Sequence, residues 1–111
     1  MGKTNPNFLN GVPEMLILQL LAERERYGYE LVKALQARSG EVFKFGEGCV
    51  YPILHYLEES KLVRSERREV QGRSRNYYAV TAKGEKRLAA LRDEWTEVHA
   101  GVATVLGVQH A

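Results

Sequence analysis

The sequence predicts a mainly α-helical domain carrying one small β-hairpin and a long helix at its C-terminal end. Three stretches before residue 60 read as helices, the first apolar nearly all round and the next two with one apolar face. Two strand-like runs, Val63–Glu69 and Asn76–Val80, flank a glycine-containing segment and read as a hairpin. Beyond them an apolar heptad runs from Leu88 to Val105. With 111 residues the chain is one domain with a real but modest core and room for one appended element.

Taken in order, residues 1–9 hold Pro6 and two asparagines with little to bury, and read as a loose N-terminal arm. Pro13 suits a first helical turn, and Glu14 complements the positive end of the helix dipole. Met15, Leu16, Ile17, Leu18, Leu20, Leu21 and Ala22 make the first helix apolar nearly all round, so it lies in the core or against a second subunit. Glu23–Arg26 is a short charged connection. A second helix runs from about Tyr27 to Arg38, with Leu31, Val32 and Leu35 inward and Ser39-Gly40 ending it. Residues 41–45 make a short extended link.

The third helix occupies the stretch Phe45–Val63. Val50, Ile53, Leu54, Leu57 and then Leu62 form its inner stripe, with Glu47, Cys49, His55 and Glu59 on the other face and Tyr51, Pro52 and Tyr56 near the boundary. Gly46 and Gly48 leave the first backbone N–H groups open, and such groups attract anions. Pro52 lies beyond the first turn, where it removes one internal hydrogen bond and presses on the carbonyl of residue 48. In the hairpin that follows, Val70–Arg75 is the expected tip, with Tyr78 and Val80 facing inward and Tyr77 outward. Thr81 is a good N-cap for the last helix, although Gly84 stands where a capping box has Glu or Gln. Leu88, Leu91, Trp95, Val98, Val102 and Val105 form one seam of that helix. Two and a half heptads are enough for helix–helix packing and too few for an autonomous coiled coil. Three helices, a hairpin and a long helix follow the order of a winged helix-turn-helix. Residues 1–80 would form the DNA-binding domain and residues 81–111 a C-terminal dimerisation helix.

The net charge of +2 is unevenly spread. Residues 61–80 hold six basic residues (Lys61, Arg64, Arg67, Arg68, Arg73, Arg75) against Glu66 and Glu69, whereas residues 1–60 are net acidic and residues 81–111 balanced. Positive charge gathered in the hairpin points to a polyanion partner more strongly than a high overall pI does. Catalytic and metal chemistry find no support. His55, His99 and His110 are too scattered to form a zinc site with the lone Cys49. The adjacent Glu58 and Glu59 diverge by about 100° on a helix, and no phosphate-cradling glycine motif or nucleophile with a base appears. No cofactor is expected, and the chain is not expected to be an enzyme. One cysteine and the absence of a secretory or membrane-spanning segment make a cytoplasmic protein the expectation.

At residue level the sequence resembles the PadR family of bacterial transcriptional regulators, in the short form with a single C-terminal helix. The resemblance rests on EMLILQLLAE (14–23), YGYEL (27–31), GEGCVYPILHYLEESKLV (46–63) and SRNYYAVTAKGEKRL (74–88), which span nearly the whole chain. It implies a homodimeric repressor that binds double-stranded DNA at an inverted-repeat operator and releases it when a small aromatic effector binds. On that expectation, Gly48, Cys49, Tyr51, Pro52 and His55 meet DNA from the third helix, and Arg64, Arg73 and Arg75 from the hairpin. Leu91, Trp95, Val98, Val102 and Val105 form the dimer interface. Relatives with a tryptophan at the matching position sandwich flat aromatic ligands between the two copies, which assigns effector binding to Trp95; nearby Asp93, Glu94 and Glu97 would favour cationic aromatics. Three departures stand out. The family usually has Thr or Ser at Cys49 and a glycine at Lys61, and a basic side chain is frequent near His55. A cysteine at a helix start is also a candidate oxidation switch, if its pKa is lowered. The competing reading is a winged helix used as a protein-interaction module without specific DNA binding.

Overall fold

The all-round apolar character of the first helix has a direct structural outcome. In the structure, a computed structural model that describes residues 11–108, α1 (Val12–Glu23) starts with Pro13 in its first turn and runs through the core. Ile17 and Leu18 are wholly buried, and Val12, Met15, Leu20 and Leu21 nearly so. The arm expected over residues 1–9 lies outside the described residues.

The charged link after α1 is more than a connection. Arg26–Tyr27 form a two-residue strand, β1, paired antiparallel with the hairpin through Arg26↔Tyr78 and Tyr27↔Tyr77. Two residues are too few to show an alternating pattern, so this strand is invisible in the sequence. Arg26 is buried because its polar atoms are satisfied: Nε donates to the Leu20 carbonyl at 3.2 Å and the guanidinium meets Glu23 at 3.4 Å. The α2 helix (Gly28–Arg38) follows, its entrance closed by the Tyr27 backbone N–H donating to Glu30 Oε1 at 3.1 Å. The extended link expected over 41–45 begins instead as a tight turn, with Gly40 and Glu41 both left-handed (φ 63° and 69°). The Ser39 hydroxyl holds it, accepting from the Phe43 N–H at 2.9 Å.

The third helix, α3 (Glu47–Glu59), continues unbroken past Pro52 and buries Val50, Leu54 and Leu57. It ends in a Schellman motif: the Lys61 N–H donates to the Glu58 carbonyl and the Leu62 N–H to the Leu57 carbonyl at 2.8 Å. Strands β2 (Val63–Val70) and β3 (Arg73–Val80) pair in register from Val63↔Val80 to Val70↔Arg73, and the sheet order is β1-β3-β2. Their turn is only Gln71–Gly72, both left-handed (φ 52° and 77°), as the tight hairpin turn matching strand twist requires. The tip is therefore shorter than expected, and Arg73 and Arg75 are strand residues.

Thr81 caps α4 (Ala82–Leu106), accepting from the Gly84 N–H at 3.1 Å. Gly84 is a steric choice. A methyl group there would collide with the Leu62 carbonyl oxygen and come within 2.7 Å of Val80 Cγ2. Leu88 and Leu91 are 7% exposed, buried in the chain's own core where α4 meets α1. Leu91, assigned by spacing to a dimer seam, is thus already covered within one chain. The exposed part of the seam begins at Trp95, 45% exposed, and continues through Val98, Val102 and Val105.

Candidate nucleic-acid interface

Because Val50, Leu54 and Leu57 hold α3 to the core, the opposite side of the helix is set by its period. Gly48, Pro52, His55, Tyr56 and Glu59 are exposed. Gly46, the N-cap, offers no side chain to close the entrance. His55 therefore lies on the outer face as expected, whereas Pro52, expected near the boundary, is exposed. Tyr56 joins them: it is 53% exposed, one turn after Pro52, and that four-residue spacing is the signal that could have singled it out. Tyr51, expected at the edge of the outer face and in contact with DNA, is drawn inward. It is half-buried, and its ring lies so close to the first turn of α2 that a Cβ on Gly28 would sit 2.6 Å from the Tyr51 hydroxyl oxygen. Cys49 is half-buried too, and burial pushes its thiol pKa up rather than down. Burial thus works against the low-pKa oxidation switch considered for Cys49.

The wing sorts its cations by partner. On the sheet face away from the core, the rings of Tyr27 and Tyr77 meet edge-on at 5.5 Å. Arg75 lies over Tyr27 at 4.2 Å and Arg68 over Tyr77 at 4.8 Å. Although these two arginines are cross-strand neighbours, their charges are treated differently. Arg68 pairs with Glu25 at 2.6 Å and Glu66 at 2.7 Å, which raises its pKa further. Arg75, Arg73 and Arg64 have no ion pair among the described residues. Arg67 donates to the Ser74 hydroxyl at 2.8 Å. Between α3 and the wing lies a cavity of about 300 Å³ whose lining includes Tyr27, Gly28, Tyr51, Arg73, Arg75 and Asn76.

The fold that carries these features is shared with known proteins. The transcriptional regulator PadR-like family matches residues 17–90. The chain belongs to the PadR family. It is 34% identical over 102 residues to transcriptional regulator Rv3488 of Mycobacterium tuberculosis, a match covering 92% of this chain and 90% of that protein. A PadR-like transcriptional regulator from Bacillus cereus superposes with a TM-score of 0.79 at 31% identity, over 93% of this chain and 99% of the other. A Clostridium thermocellum regulator gives a TM-score of 0.82 at 26% identity, over 88% and 96%. The family is one of transcriptional regulators, not enzymes.

Lys61 adopts φ 65° at the position after the α3 C-cap, a conformation that favours glycine. On α4, the Trp95 ring stacks on His99 at 5.5 Å with an interplanar angle of 28°. Among the described residues, no helix is long and apolar enough to cross a membrane.

Proposed function

We propose that this PadR-family regulator binds double-stranded DNA as a homodimer, with α3 in the major groove and the β2–β3 wing along the backbone and minor groove. One observation carries the proposal: Tyr51 of α3 and the wing arginines Arg73 and Arg75 line one cleft, while Pro52, His55 and Tyr56 of the same helix are exposed. Gly48 at the open helix entrance, half-buried Cys49 beside it and exposed Arg64 on β2 are assigned to the same DNA contact. The dimer is supported by α4, whose Trp95, Val98, Val102 and Val105 would otherwise leave an apolar strip in water. Two-fold symmetry then calls for an inverted repeat with half-site centres about one helical turn apart. A small aromatic effector seated at Trp95, between the two copies, would shift the α3 pair and release the operator, making the protein a ligand-responsive repressor. Stacking on the indole contributes roughly 0.5–1.5 kcal/mol beyond area burial.

Fluorescence anisotropy of a labelled mixed-sequence duplex across salt concentrations tests the DNA contact. Arg73→Ala should weaken binding to every duplex and reduce the salt slope by about 0.9, the value of one phosphate contact. Equal affinity of Arg73→Ala and wild type at low and high salt would remove the wing from the interface. No binding by wild type at any salt would favour the protein-interaction module instead. Sedimentation at micromolar concentration should show a dimer. Planar dyes and phenolic compounds should change tryptophan emission and weaken DNA binding together. A ligand that still releases DNA from Trp95→Ala would place the sensor elsewhere.

A further inference from the structure

We propose that the cavity between α3 and the wing seats one backbone phosphate of the bound duplex, with Arg75 and the Tyr51 hydroxyl as its principal donors; this rests on the DNA-binding proposal above. A duplex that takes α3 in one groove and the wing in the next must carry one sugar-phosphate strand across the ground between them. The cavity lies on that ground, bounded by Tyr51 of α3, Arg73–Asn76 of β3 and Tyr27–Tyr29 at the start of α2. Its lining includes two arginines and no acidic residue among the described residues.

The arginine pair shows how the charge is placed. Arg68 and Arg75 face each other across the strands, yet Glu25 and Glu66 occupy only Arg68. Arg75 is held over the Tyr27 ring at 4.2 Å. With its carbon over the ring and no ion-pair partner among the described residues, the guanidinium keeps N–H donors for a phosphate. Tyr51 supplies a second donor. Its pKa is raised, first by burial and then by the charge of Glu47, so its hydroxyl keeps its proton. Close packing of Tyr51 on Gly28 fixes that hydroxyl beside the cavity. In this arrangement Tyr51 fixes the register of α3 on the duplex and does not read a base.

Anisotropy with mixed-sequence duplexes, and with duplexes enriched from random DNA by the wild-type chain, supplies the test. Arg75→Gln should lower the salt slope by about 0.9. Tyr51→Phe, which keeps the ring and its packing, should weaken all duplexes about tenfold, whatever their sequence. Arg68→Gln, whose cation is already engaged, should keep the wild-type slope. A single neutral methylphosphonate scanned along the enriched duplex should find a position that weakens wild type and not Arg75→Gln. If Arg75→Gln and Tyr51→Phe bind as wild type does while Arg73→Ala remains weakened, DNA binding stands and the phosphate seat is overturned. If the wild type binds no duplex, both are overturned. If inorganic phosphate at constant ionic strength saturates a shift of the Gly28 amide resonance and duplex does not displace it, the cavity belongs to a free anion instead.

Discussion

Replacing Lys61 by glycine should stabilise the protein, and the size of the gain follows from the end of α3. Lys61 holds φ 65° so that two backbone bonds can close the helix, one from its own N–H to Glu58 and one from Leu62 to Leu57. A side chain in the left-handed region costs about 1–2 kcal/mol from the contact between Cβ and the following carbonyl. Glycine removes that cost and gives back roughly 0.4–1 kcal/mol through the greater freedom of the unfolded chain. The Lys61 side chain is exposed and makes no hydrogen bond or ion pair among the described residues. A net gain of about 0.5–1 kcal/mol remains, which corresponds to a rise in Tm of roughly 2–6 °C for a domain of this size. Urea and thermal unfolding followed by circular dichroism would measure it, at matched protein concentration because subunit association shifts apparent stability. Lys61→Ala keeps the Cβ and should show no comparable gain. A Lys61→Gly protein no more stable than Lys61→Ala would refute the assignment of strain to this residue.

Gly84→Ala should lower the urea midpoint by the equivalent of about 2–3 kcal/mol, because its methyl meets backbone at Leu62 and not a side chain that can swing away; an unchanged midpoint would contradict the close approach of α4. Glu23 is held from 4.5 down to about 2, first by the hydrogen bond from Arg38 and also by Gln19 and Arg26. Its pKa is lower in the folded chain than in the unfolded one, so its contribution is present above pH 4.5 and fades as pH falls towards about 2. Glu23→Gln should flatten that part of the stability curve, and an identical acid limb in both proteins would refute it. Cys49 should react with iodoacetamide more slowly than free cysteine at neutral pH, since burial raises its pKa; faster reaction would reinstate it as a redox candidate.

How much was readable in advance depends on how local the cause is. The α1–α3 stripes, the Thr81 cap and the alternation that turns Tyr78 inward follow from period and capping chemistry, which act within a few residues. The order of the elements and the basic hairpin are equally matters of sequence, as is the family resemblance. Only the tertiary structure decided which donors and charges are open. Arg68 and Arg75 look alike in the chain, but Glu25, forty-three residues from Arg68, comes to rest on that arginine alone. Tyr51 has the spacing of an exposed residue and is turned into packing by Gly28, on a different helix. Leu91 continues a perfect heptad with Trp95, yet α1 covers one and leaves the other in water. Period reports which face of a helix is apolar. Where a covering element stops is set by long-range packing, which no short window of sequence contains.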